Sequence, residues 1–244
     1  MPNHCSNYLT VSGTKEEMKK FYENLSVIPQ EGYEDNYDED CNEVRAFDFN
    51  DFIFRPKSLD ITSGSGVKRG LEVLEGKANM GPGGDYPNLT EKDLEEAKIY
   101  KSNVEKYSFG DWYEWSYNNW GTKWNAYDCY VNEVSDEIFM VNFCTAWSPP
   151  TPVIQKMAEM FPNLIIEMEY QEEGMGFAGT MGYEPGLGFY DNEGELIYLS
   201  SCCNKDVNDG DWVDYCEDND IESWETCPKC KEQCESISEI KHNN

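Results

Sequence analysis

Residues His4 to Val11 carry the apolar positions Tyr8, Leu9 and Val11. The pattern predicts a first strand that stops at Gly13. Thr14 followed by Glu17 predicts a capped helix to about Leu25. Met18, Phe21, Tyr22 and Leu25 share one face of that helix and read as a core stripe. Val44, Ala46, Phe47, Phe49, Phe52 and Phe54 alternate and predict a strand broken near Asn50-Asp51. Ser58 to Asn88 is rich in glycine and serine and reads as a long, mostly irregular insertion. Gly64-Ser65-Gly66 lacks the third glycine and the clear following helix of a dinucleotide fingerprint. Thr90 with Asp93 predicts a helix to about Tyr107, and Asp111 to Asn119 predicts another.

The remaining globular part reads strand, strand, helix, strand, strand. The predicted strands are Ala126–Val131, Glu137–Thr145, Leu164–Tyr170 and Met175–Thr180. The helix opens at Ser148-Pro-Pro-Thr-Pro152, with its prolines in the first turn, and stops at Pro162. In the third strand Leu164, Ile166, Met168 and Tyr170 face one way, Glu167 and Glu169 the other. Gly188–Ser200 predicts a hairpin turning at Asp191-Asn192-Glu193-Gly194. Three regions follow: a βα segment with an acidic loop and insertion over 1–107, an α+β domain over 108–200, and an acidic, cysteine-rich tail over 201–244.

Charge changes the picture most. The 244 residues hold 48 acids and 19 bases, a formal charge of −29. A phosphate-backbone binder needs the opposite sign, so direct nucleic-acid binding is excluded, and adhesion to anionic lipid with it. The expected partner is basic. Two acidic stretches are candidates for the contact. Glu34, Asp35, Asp38, Glu39 and Asp40 lie in a loop from Glu31 to Glu43 without Lys or Arg, which also fits a plain solvated loop. Glu167, Glu169, Glu172 and Glu173 lie in an interval from Lys156 to Lys205 with nine acids and no base. One face of the sheet is therefore expected to be strongly negative. Apolar content of 39% and aromatic content of 14% argue for a packed core. No run of 18 apolar residues occurs, and the first residues read as no secretion signal.

Candidate chemistry is thin. Ten cysteines without a signal point to a reducing cytosol. Cys227-Pro-Lys-Cys230 has zinc-knuckle spacing, and Cys234 with Cys216 could complete a tetrahedral zinc site. Cys202 and Cys203 are alternative ligands, and free thiols or a disulfide remain open. Asp206, Asn208, Asp209, Asp211 and Asp214 are oxygen-rich but miss the calcium-loop glycine. The two histidines, His4 and His242, define no catalytic dyad, and His4 reads as structural. No phosphate loop occurs. Trp112, Tyr113, Trp115, Tyr117 and Trp120 suggest a buried core rather than a base-stacking platform.

Longer motifs add to this reading. Pro2-Asn3-His4-Cys5-Ser6-Asn7-Tyr8-Leu9-Thr10-Val11-Ser12-Gly13 resembles the start of a phage- and plasmid-borne family with a YubB-type ferredoxin-like domain. So do Trp112-Tyr113-Glu114-Trp115, Asn119–Ala126 and Phe143-Cys144-Thr145-Ala146-Trp147-Ser148-Pro149-Pro150. Glu169-Tyr170 and Glu172–Gly179 continue the likeness. The resemblance covers roughly residues 1–30 and 108–200. It implies an α+β, ferredoxin-like antiparallel sheet packed on helices and a mobile-element origin, and it implies no activity. With the charge, it suggests a phage-encoded inhibitor in the host bacterial cytoplasm. That inhibitor would dock as a nucleic-acid mimic on a basic defence nuclease or complex, in the manner of an anti-CRISPR protein. A zinc-stabilised structural or regulatory module is the alternative, and a small-molecule enzyme a third.

Overall fold

The computed structural model of the chain describes residues 3–26, 47–200, 207, 227–230 and 236–241. β1 (His4–Ser12) follows the period of two: Cys5, Asn7, Leu9 and Val11 are buried, and the residues between them are exposed or half-buried. α1 (Lys15–Asn24) begins where Thr14 Oγ1 accepts the Glu17 amide, as its capping signature requires. Three further helices precede the next strand: α2 (Ser65–Leu74), α3 (Glu91–Tyr107) and α4 (Trp112–Trp120). Then come β2 (Tyr127–Val134), β3 (Ile138–Ala146), α5 (Thr151–Met160) and β4 (Ile165–Glu172). β5 (Phe177–Glu184), β6 (Gly188–Ser200) and β7 (Ser236–Lys241) complete the order.

The seven strands form one sheet in the order β2-β3-β1-β4-β5-β6-β7, with every neighbouring pair antiparallel. β1-α1-β2-β3-α5-β4 is the βαββαβ connection of a ferredoxin-like fold, and its four strands stand together as β2-β3-β1-β4. The fold therefore begins at His4. α2, α3 and α4 are inserted between its first helix and second strand, and β5, β6 and β7 extend the sheet beyond its fourth.

α1 and α5 bury one face of the sheet. Met18 and Phe21 of α1, and Val153, Ile154 and Met157 of α5, share a core with Leu9, Val11, Phe139, Val141, Phe143, Ile166 and Met168. Phe21 sits at its centre, with ring centroids 5.5 Å from Phe161 and 5.6 Å from Phe139. Asn7 is one of the buried polar residues on this side. Its buried amide donates to the carbonyls of Cys5 and Phe143, at 2.9 and 3.2 Å, and to Thr145 Oγ1 at 3.0 Å.

Two expectations from sequence give way to tertiary contacts, and a third is refined. The described part of the 44–54 run is a 3-10 turn at Phe49–Asp51, not a strand. Asp48 caps it through the Asn50 amide and Asn125 Oδ1 takes the Phe49 amide, so ladder pairing is replaced by side-chain acceptors. Phe47, Phe49 and Phe52 are buried while Phe54 is 65% exposed. The 58–88 insertion is mostly irregular, as its composition suggests, but one helix, α2, lies within it and packs on α3. A Cβ at Gly70 would stand 2.9 Å from both Ala97 Cβ and the Asp93 carbonyl oxygen, so glycine is what lets the two helices approach. The hairpin within 188–200 is one continuous strand: Asp191-Asn192-Glu193-Gly194 pairs with Ala178–Met181 of β5. The turn falls earlier, at 185–187, where Gly186 takes a φ of +90°.

Candidate partner-binding surface

The residues that alternate away from α1 and α5 form the other face of the sheet. Two cross-strand rows matter. One runs Asn142, Tyr8, Glu169, Thr180, Asn192, and the next runs Cys144, Ser6, Gln171, Ala178, Gly194. The second row is short in side chain at Ser6, Ala178 and Gly194 and lies beside the taller first. The resulting trough encloses about 670 Å³, with Tyr8, Asp128, Asn142, Cys144, Glu169 and Gln171 among its lining residues. Asp128 reaches it from an irregularity in β2, where its φ is +50°.

The trough is rich in acceptors. Asp128 and Glu169 bring carboxylates from strands on either side of β3 and β1, and Asn142 Oδ1 is buried there with no hydrogen-bond partner among the described residues. Tyr8 contributes a ring that is 36% exposed, its hydroxyl directed at Met140 Sδ at 3.2 Å. Burial, and then the Asp128 carboxylate, push the Cys144 thiol up, which keeps it protonated and poorly nucleophilic at neutral pH. Just outside, Tyr127 bonds His4 Nδ1 at 2.7 Å, which gives His4 a structural partner.

Electrostatically the sheet differs from the rest of the molecule. None of the six strands from β1 to β6 contains Lys or Arg. Ten of the nineteen bases lie in α1, α2, α3 and α5, and several are paired there: Lys20 with Glu17 at 2.7 Å, Lys98 with Glu95 at 2.6 Å, Lys156 with Glu159 at 2.9 Å. The sheet face is not a wall of carboxylates. Tyr8, Tyr130 at 53% and Ile165 at 38% exposure stand among them. Aromatic residues are enriched at protein interfaces.

Of the second predicted patch, Glu167 and Glu169 are exposed side by side on this face, and Glu173 is exposed in the β4–β5 turn. Glu172 is not presented. It points to the helix-covered side, is 1% exposed, and accepts the Gly174 and Met175 amides at 3.0 and 2.6 Å. Period two already puts Glu172 with Ile166, Met168 and Tyr170. Asp128, Asn142 and Tyr8 had no signal in sequence, because only strand order brings them together. Glu34, Asp35, Asp38, Glu39 and Asp40 lie outside the described residues. So do Cys202, Cys203, Cys216, Cys234 and the Asp206–Asp214 cluster. Cys227 is buried, and its Sγ accepts the amides of Lys229 and Cys230 at 3.4 and 3.5 Å. Among the described residues no group of three or more His, Cys, Asp or Glu side chains is placed to hold a metal ion. None of the described helices is long and apolar enough to cross a membrane.

Connection and sheet order thus define an α+β, ferredoxin-like protein. Residues 120–206 match the family model described as a ferredoxin-like domain in Api92-like protein. A crystal structure of a protein api92 from Yersinia pseudotuberculosis is similar over 80% of this chain and 98% of its own, with a TM-score of 0.40 and 10% identity. No curated protein matches the chain.

Proposed function

We propose that this chain is a binding protein that presents its base-free sheet face to a cationic surface, of the kind that ordinarily holds nucleic-acid phosphates, and so blocks it. One observation carries the reading: in a chain of charge −29, six adjoining strands lack any Lys or Arg, while Glu167, Glu169 and Asp128 stand exposed on them. Carboxylates held on strands are preorganised, and a field of one sign speeds association with a basic partner. The YubB-type resemblance favours a phage- or plasmid-borne setting, with a host defence nuclease or complex in the bacterial cytoplasm as the target. The test is a salt-graded capture with the full chain as bait and identification of what it holds. A basic nucleic-acid-binding protein should be retained at low salt, released as salt rises, and lost when Glu167 and Glu169 are both changed to Lys. Reversal of Glu95, on the exterior of α3, should leave it bound. Equal capture by both variants, or capture indifferent to salt, refutes the mechanism.

A second reading, a zinc-stabilised module, has its own support. Two backbone amides directed at Cys227 Sγ across a Cys-x-x-Cys turn are what a metal-bound thiolate uses to disperse its charge. One zinc per chain, lost with Cys227→Ser and Cys230→Ser, is the expected result. Metal-free protein with an unchanged melting curve refutes it.

A further inference from the structure

A second cavity lies away from the sheet face, between α4, the chain that follows it, and the segment after the 3-10 turn at Phe49–Asp51. It encloses about 580 Å³, within the roughly 300–1,000 Å³ common for small-molecule sites. Trp112, Trp124 and Tyr127 supply aromatic walls, with the fully buried Trp120 behind Arg55, and Arg55 and Asp60 supply the charged groups.

The polar pair is built and internally neutral. Arg55 Nη2 meets Asp60 Oδ1 at 2.7 Å and Nη1 donates to Ser116 Oγ at 3.1 Å. The guanidinium lies 5.0 Å from the centroid of Trp120, whose Nε1 donates to the Ile53 carbonyl at 2.8 Å. Arg55 Nε is buried with no hydrogen-bond partner among the described residues. Trp124 is 36% exposed, and the Lys123 ammonium sits 4.7 Å from its centroid and 5.4 Å from that of Trp147. Trp147 holds a φ of +72°, which a bulky residue adopts only when its surroundings impose it.

Stacking faces, an adjacent donor and carboxylate, and a pair with no net charge describe one ligand class. We propose that this cavity binds an uncharged planar heteroaromatic base with neighbouring hydrogen-bond acceptor and donor groups, of purine-nucleoside size. The acceptor meets an Arg55 Nη group, the donor meets the Asp60 carboxylate, and the ring stacks on Trp112 and Trp124. Phosphates are disfavoured, because Asp60 already neutralises Arg55 and the chain carries −29.

The test titrates the full chain with adenosine, guanosine, their 5′-monophosphates and ribose, read by tryptophan fluorescence and by calorimetry. Saturable binding of at least one nucleoside, weaker binding of its monophosphate and none of ribose are expected. Trp124→Ala should weaken that binding by about tenfold or more. Arg55→Lys, which keeps the charge but loses the planar Nη fork, should weaken it while a melting curve confirms folding. The proposal is overturned by absence of saturation up to about 10 mM. It is equally overturned by a monophosphate that binds tighter than its nucleoside, or by Trp124→Ala binding as the parent does.

Discussion

The two faces of the sheet are made from the same strands and obey different rules. In β1, Leu9 and Val11 point to α1 and α5, and packing dictates what they are. Tyr8 and Thr10, their immediate neighbours, point the other way, and core packing does not dictate them. The same division runs through β4, with Ile166 and Met168 inward, Glu167 and Glu169 outward. The buried face holds the fold together, and the other carries a base-free field that core packing does not dictate. The docking on a cationic partner proposed above would account for its sign.

Substitutions can break this contrast or sharpen it. The largest effect belongs to Phe21→Ala, which empties a fully buried ring site and should cost about 3–5 kcal/mol in denaturant unfolding. A loss below about 1 kcal/mol would mean the helix-covered face is not the core. Next, Glu172→Ala should cost about 1–3 kcal/mol, because two turn amides lose their acceptor. Glu169→Ala, three residues away on the opposite face, should stay within about 0.5 kcal/mol. Equal losses would erase the distinction between them.

Alkali should reveal the buried face as well. Burial pushes the Cys5 thiol from about 9 up to about 12, against a hydrogen bond with Thr145. Burial and the Asp191 carboxylate likewise push Tyr170 up, and its hydroxyl donates to Asp191 Oδ1 at 3.0 Å. Between the unfolded and folded values the native state binds the extra proton. This stability is therefore complete below about pH 9 and is lost as pH rises toward about 12. Cys5→Ala should flatten that alkaline loss, measured as melting temperature against pH. The smallest effect is for Tyr8→Phe, whose exposed hydroxyl reaches only Met140 Sδ, and an unchanged melting temperature is expected.

Local signals were legible in the chain where local physics decides. Thr14 and Thr90 announced their helices because a cap is an interaction three residues long. The prolines before Val153 announced α5 because the first turn has no amide to lose. β4 showed both faces through its period of two. α2 was hidden because Gly64, Gly66 and Gly70 mask a Val67-Leu71-Leu74 stripe, and Gly70 is there for α3 rather than for its own helix. β6 read as a hairpin because Asp-Asn-Glu-Gly is turn chemistry, and it yields to the ladder that β5 provides.

By itself the amino-acid order determined the α+β class, most of the caps, the inward and outward sides of β4, and the sign of the charge. Each of these depends on neighbours within a turn or two, or on a sum that needs no geometry. Tertiary structure alone decided that β1 enters the sheet between β3 and β4. It thereby set Tyr8 and Glu169 beside Asn142, and it brought Arg55 over Trp120. Those contacts join residues far apart in the chain, and their positions follow from strand order and helix packing, which no local pattern encodes.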